Sequence, residues 1–172
     1  MLDQGYGDFM PAEISNCVFY DNAANAGGDY GGGAVYANSC PSLITSCTIV
    51  GNSGGDGAGG IHTYGSNVTA RNTIIAFNAG AYGTLGVIFE RCVLFENEGD
   101  TPGPSPVLLF ADPLFCDRAS RDLNLCSNSP CVPTAADNPW GELIGAFGVG
   151  CMDCETATRE SSWGSIKSGL RR

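Results

Sequence analysis

Apolar and polar positions recur along the N-terminal part of the chain in one short frame. Four segments share it: Ile14-Ser-Asn-Cys-Val-Phe-Tyr-Asp-Asn22, Ile44-Thr-Ser-Cys-Thr-Ile-Val-Gly-Asn52, Ala70-Arg-Asn-Thr-Ile-Ile-Ala-Phe-Asn78 and Phe89-Glu-Arg-Cys-Val-Leu-Phe-Glu-Asn97. Each opens on an apolar residue, has Cys or Thr fourth and a large apolar residue sixth, and ends on Asn. Successive copies are spaced 52−22=30, 78−52=26 and 97−78=19 residues apart. A second element lies between copies: Gly31-Gly-Gly-Ala-Val-Tyr36 and Gly57-Ala-Gly-Gly-Ile-His62. Helical-hairpin arrays keep a nearly fixed repeat length, so unequal spacing excludes them. Short β-branched runs broken by Gly and Asn predict strands joined by tight turns. Two or three such strands per repeat make one coil of a parallel β-solenoid, and loops of different length leave the coil unchanged.

Side-chain direction follows from strand parity. Cys17 and Phe19 are predicted to point inward, as are Cys47 and Ile49, Thr73 and Ile75, and Cys92 and Leu94. Ile14, Ile44, Ala70 and Phe89 form a second inward column. Asn22, Asn52, Asn78 and Asn97 form a further column at equivalent corners, where stacked amides bond along the axis and Asn tolerates a left-handed turn. The Gly pairs at 32–33 and 59–60 supply either positive φ or a close approach of backbones.

These motifs resemble those of right-handed parallel β-helix repeat proteins, and the Gly-Gly and Asn-terminated elements are similar to repeats of polymorphic outer-membrane proteins. The resemblance extends through Asp112-Pro-Leu-Phe-Cys-Asp117, Asp122-Leu-Asn-Leu125, Ser129-Pro-Cys131 and Leu143-Ile-Gly-Ala-Phe147, which look like the stretch closing many exported bacterial β-helix proteins. It implies an all-β, right-handed parallel β-helix with a loop-rich C-terminal cap. The expected organisation is β-helix rungs over 1–100, a cap over 101–151 and a flexible tail over 152–172. Pro102, Pro104 and Pro106 break strand pairing where the repeat stops. The cap is expected to sit over the last rung, because an open solenoid end exposes core.

Composition narrows function. Of 172 residues, 25 are Gly; Asp and Glu outnumber Lys and Arg 18 to 8, a net charge of −10. That balance excludes a nucleic-acid partner and an anionic membrane surface. No apolar run reaches the length of a membrane span. Hydrophobic residues at 43% with only 15% charged exclude a disordered chain. Nine cysteines suggest an oxidising compartment. The first ten residues lack the basic start and apolar stretch of a signal peptide. The expectation is therefore the C-terminal piece of a longer exported chain, extracellular or at the cell surface, with its remainder upstream. A cytosolic protein with a structural metal is the alternative.

Candidate chemistry is sparse. A polysaccharide lyase on this fold would need a basic proton acceptor opposite carboxylates; Arg71 and Arg91 occupy neighbouring columns, with only Glu90, Glu96 and Glu98 nearby. A hydrolase would need carboxylates at a fixed separation. Asp29 and Asp56 stand in Gly-rich loops 27 residues apart, where ordinary turn aspartates are equally expected. His62 takes the place that Tyr36 holds one coil earlier. No catalytic residue is assigned. Asp29, Asp56, His62, Arg71 and Arg91 remain as ligand-binding candidates. No metal ligand set or cofactor is assigned, although oxygen-rich Asp loops would also suit a structural Ca²⁺. Cys151-Met-Asp-Cys154 lacks a second pair at zinc spacing. The column cysteines are expected to be buried thiols. In the cap, Cys116–Cys126 and Cys131–Cys151 are the expected disulfides, with Cys154 able to replace Cys151. The resulting reading is a non-catalytic, secreted or surface scaffold presenting loops to a carbohydrate or a surface protein. The alternative is the C-terminal fragment of a carbohydrate-active enzyme, a lyase or glycoside hydrolase, with its catalytic rungs upstream.

Overall fold

The computed structural model describes residues 2–3, 11–24, 31–100 and 105–155. Asp29, Pro102, Pro104 and most of the tail lie outside the described residues. The strands in chain order are β1 (Leu2–Asp3), β2 (Ala12–Ser15), β3 (Val18–Tyr20), β4 (Val35–Asn38), β5 (Ser42–Thr45) and β6 (Thr48–Val50). There follow β7 (Ala58–Tyr64), β8 (Val68–Arg71), β9 (Ile74–Ala76), β10 (Tyr82–Leu85), β11 (Val87–Glu90), β12 (Cys92–Phe95) and β13 (Leu108–Leu109). The last described strands are β14 (Phe115–Asp117), β15 (Asp122–Cys126) and β16 (Val149–Cys151). No described helix is long and apolar enough to cross a membrane.

The strands stack as a parallel β-solenoid with three faces. The first face is β1-β4-β7-β10, the second β2-β5-β8-β11 and the third β3-β6-β9-β12-β13. Every pairing within these faces is parallel. The register matches the repeat frame. Ile14, Ile44, Ala70 and Phe89 align on the second face, and Phe19, Ile49, Ile75 and Leu94 on the third. These columns, with Val35, Ala37 and Ile61 from the first face, form the interior core.

Cys47, Thr73 and Cys92 turn inward and are fully buried. Cys17, in the equivalent position, is exposed. Burial holds the Cys92 thiol up at about 11, so the buried column cysteines behave as small hydrophobes and not as thiolates. None of Cys17, Cys47 and Cys92 is bridged.

Each coil turns at corners where one residue takes a left-handed conformation. Between the second and third faces it is Asn16, Ser46, Asn72 and Arg91. After the third face it is Asp21, Gly51, Phe77 and Glu96. The expected role of the Asn column is thereby corrected. The residue before each Asn absorbs the strained turn, and the Asn itself is spared to face inward and bond. The Gly pairs are also resolved, because neither has positive φ. A Cβ on Gly59 would lie 2.3 Å from the Ala79 carbonyl oxygen, and one on Gly33 2.2 Å from that of Gly59. Glycine is needed there because backbones of successive coils nearly touch. Gly59→Ala is expected to destabilise by about 2–3 kcal/mol through overpacking. Gly148→Ala, whose added methyl meets nothing within 4 Å, should be near neutral; thermal melting of the two variants checks this.

Of the expected cap, β13 does add to the last coil, where Leu108 packs on the interior core. The rest, from Leu114 onward, lies along the outside of the third face. Alternate residues of that face, Val50, Ile74, Ala76 and Val93, point outward and are buried against Leu123, Leu125, Cys131, Val132 and Ile144. The reason is legible in β9, apolar at every position, and in β6, apolar but for Thr48: Ile74-Ile-Ala76 and Thr48-Ile-Val50 are buried throughout. A strand apolar on both sides must be covered on both sides. Polar contacts fasten the same seam. The Gly145 N–H donates to the Asn72 carbonyl at 2.8 Å and the Ala146 N–H to Thr48 Oγ1 at 3.0 Å. Tyr20 donates its hydroxyl to the Arg118 carbonyl at 2.9 Å, and the Arg118 guanidinium lies 3.7 Å over the Phe77 ring.

The disulfides also differ from expectation. They are Cys116–Cys151 and Cys126–Cys154. β14 and β15 do fold back as an antiparallel hairpin, with Phe115 against Leu125. That register places the Cys126 N–H on the Leu114 carbonyl, leaving Cys116 two residues out of step with Cys126. β16 then adds to β15 in parallel, with Cys151 beside Cys126, which carries the Cys151-Met-Asp-Cys154 segment over both partners. Cys131 is turned into the covering core instead, where burial holds its thiol up at about 12.

Candidate functional site

The sequence-derived candidates fall at three separate places. Arg71 closes β8 and points outward from the second face. Its register neighbours are Thr45 on one side and Glu90 on the other. Both its Nε and Nη2 reach Glu90 Oε2 at 2.6 Å. The two groups are partly exposed, so the pair orients the side chains more than it stabilises the fold. Arg91 occupies the adjacent left-handed corner and forms an ion pair with Glu142.

Glu142 comes from the covering region, 70 residues from Asn72, whose Nδ2 donates to Glu142 Oε2 at 2.7 Å. The Asn72 hydrogen bond first, and then the Arg91 and Arg71 charges, hold the Glu142 carboxyl below the ordinary carboxylate range. Each arginine thus carries a carboxylate partner, and each of those carboxylates is committed to a cation. A lyase base must be free to accept a proton, and a hydrolytic acid must be held protonated near neutral pH. The Glu142 environment works against the second requirement. A depressed carboxyl contributes stability above its unfolded value, near pH 4.5, which is lost as pH falls through the folded value. Glu142→Gln should therefore flatten the acid limb of the melting-temperature profile while leaving the profile near pH 7 to 9 parallel to that of the parent chain. Equal acid sensitivity in both chains would refute the assignment.

His62 sits on the outer side of the first face, beside Tyr36 in register. It is only 3% exposed. Its ring meets Tyr36 edge-to-face at 5.3 Å between centroids. Its Nδ1 lies 3.1 Å from the Gly31 carbonyl, an obligate acceptor, so this nitrogen carries the proton and donates. The side chain is a packed rung residue, and solvent does not reach it as it would a surface base.

Asp56 is exposed in a tight turn closed by the Gly57 N–H on the Gly54 carbonyl at 3.0 Å. The expected stacking of Asp29 above it falls on a residue outside the described ones. The structure brings Arg71 and Arg91 to one ridge but keeps His62 and Asp56 on other parts of the coil. Of the two residues that complete the ridge, Asn72 holds the same frame position as Arg91, whereas Glu142 carries no repeat or spacing signal that would have exposed it.

The most regular polar feature is the Asn column at the corner after the third face. Asn22, Asn52 and Asn78 each donate their side-chain amide to the Oδ1 of the next, ending on Asn97, at 2.9 Å in each step. The same Oδ1 atoms accept the preceding Asn backbone N–H at 3.0 to 3.1 Å. From Asn52 onward each amide also donates to a main-chain carbonyl of the previous coil: Phe19, Ile49 and Ile75 in turn. Immediately beyond it Ala23, Ser53 and Ala79 still align in parallel, and only then do the connecting segments diverge in length.

Against known proteins, a family model described as a right handed beta helix region matches residues 4–128. No curated protein and no solved structure matches significantly.

Proposed function

This chain belongs to the right-handed β-helix family, and from that premise we propose that it is a non-catalytic scaffold, secreted or displayed at a cell surface, that presents loops to a carbohydrate or protein partner. The observation that carries the reading is the placement of its variable segments. The connecting segments that begin after Ala23, Ser53 and Ala79 all leave the coil at one edge, one residue beyond the Asn ladder. A constant, hydrogen-bonded spine with length-variable loops along one edge is the arrangement by which solenoids build an extended binding surface. The two disulfides favour an oxidising compartment. The pairing of Arg71 with Glu90 and of Arg91 with Glu142 favours a structural over a catalytic ridge.

The test has two arms. Screening the oxidised chain on arrayed glycans and surface proteins should find a ligand whose binding is lost when Asp56, exposed at the tip of the Gly54–Gly57 turn, is changed to Lys. Incubation with pectin or alginate should release no unsaturated product. Release of such product, abolished by Arg71→Ala or Arg91→Ala, would establish the carbohydrate-active enzyme in place of the scaffold.

A further inference from the structure

Four cysteines from three separate stretches of the covering region converge on one point. The sulfurs of Cys116, Cys126 and Cys151 all lie within 4.8 Å of one another, and Cys154 is bonded to Cys126. Cys126 and Cys151 belong to different bridges, yet their sulfurs are 3.5 Å apart. A tetrahedral tetrathiolate zinc centre has Zn–S bonds of about 2.3 Å, which sets its sulfur–sulfur edges at about 3.8 Å. The unbonded Cys126–Cys151 edge is already close to that length, and reduction frees the two bridged edges to open toward it. Its donor set is also of the right kind, since four soft thiolates select Zn²⁺ over harder cations.

The geometry points to a second state of this cluster: in the reduced chain, Cys116, Cys126, Cys151 and Cys154 form a four-thiolate site for one Zn²⁺. The ligands are also held by contacts other than the bridges. β15 lies between β14 and β16 and pairs with both. The Asn128 side chain clamps the end of the Cys-x-x-Cys segment, donating from Nδ2 to the Cys154 carbonyl at 2.8 Å and accepting the Cys154 N–H at 3.0 Å. The Ser127 N–H donates to the Cys151 carbonyl at 3.1 Å, and Ser127 Oγ donates to Asp153. Cys126 is fully buried while Cys116, Cys151 and Cys154 are part-exposed, which gives an ion a way in and a dry inner wall.

The chemistry balances with a dithiol reductant. Two dithiol molecules reduce the two bridges and leave as their own disulfides, and the four thiols released then lose four protons as Zn²⁺ binds. The centre carries +2−4=−2 overall. The site is independent of the scaffold reading. It would make this region two-state across compartments, bridged where the surroundings oxidise and metal-held where they reduce.

Cobalt is the probe, because tetrahedral Co²⁺ thiolates absorb strongly in the visible and octahedral Co²⁺ scarcely does. The full chain is reduced anaerobically, freed of reductant and titrated with Co²⁺. One Co²⁺ per chain should bind with the tetrathiolate spectrum, and one equivalent of Zn²⁺ should bleach it. Cys17→Ser should leave the titration unchanged. Cys154→Ser, at a part-exposed position that threatens no core packing, should lose the tetrathiolate spectrum; X-ray absorption on the zinc form should count four sulfurs. Absence of a tetrahedral band in a reduced chain that keeps its β-type circular dichroism would overturn the proposal. So would an unchanged spectrum in Cys154→Ser, or a reduced chain that neither holds nor regains its fold when metal is added.

Discussion

Asn78→Ala is expected to destabilise the chain by about 4 kcal/mol, as much as the loss of a large core side chain. Asn78 is completely buried. Its Oδ1 accepts both the backbone and side-chain N–H groups of Asn52, and its Nδ2 donates to the Ile49 carbonyl and to Asn97 Oδ1. Truncation removes all of these at once and leaves their partners buried without a substitute. Each stranded polar group costs about 1–3 kcal/mol, partly relieved by relaxation. The ladder also runs in one direction, so a break at Asn78 uncouples Asn52 from Asn97. Asn22→Ala is the informative comparison. Asn22 is exposed and, among the described residues, gives its amide to Asn52 alone, so its loss should cost about 1 kcal/mol. Urea unfolding followed by circular dichroism measures both. Similar values for the two positions would mean that the ladder does not act as a buried network.

Ile74 and Ile75 should give opposite patterns although they are adjacent and equally buried. Ile75 faces the interior among Ile49, Ala70 and Leu94. Ile74 faces outward beneath the covering region, with its Cδ1 close against Gly145. Truncation of either to Ala should cost about 3 kcal/mol. The location of the loss should differ. Ile74→Ala is expected to raise amide exchange over residues 114–147 while the interior strands stay protected. Ile75→Ala should raise exchange over β5–β12 as one unit, because neighbouring coils share that core. Uniform exchange in Ile74→Ala would show that the covering region and the coils unfold as one body.

How much of this was readable from the chain depends on the range of the interaction involved. The frame ending on Asn22, Asn52, Asn78 and Asn97 is a pattern of period two within each strand and of identity between coils. Both follow from the pleat and from parallel stacking, so the inward columns and the amide ladder could be placed without coordinates. The exposure of Cys17 reflects its place in the stack, which its position in the motif does not encode. The left-handed corner was assigned one residue too late. The local rule that Asn tolerates this conformation is true, but burying the amide in the ladder gains more than relieving strain at the turn, and Asp21, Gly51, Phe77 and Glu96 take the strain instead.

The covering region shows the other limit. Its strands Phe115–Asp117 and Asp122–Cys126 pair as the local turn suggests. Where that hairpin docks was decided by the apolar outer side of Ile74 and Val50, a property of the third face and not of the hairpin. The disulfides went the same way. Spacing suggested partners within the hairpin, but addition of Val149–Cys151 to the hairpin's far strand placed Cys151 and Cys154 over Cys126 and Cys116. The ion pair of Arg91 with Glu142 depends on that docking too. The amino-acid sequence by itself determined the coil, its inward columns and its family, because a repeat writes the same short-range physics several times over. Only the tertiary structure decided the cover, the bridges and the paired charges of the ridge. Each of these joins segments far apart in the chain, and no period connects them.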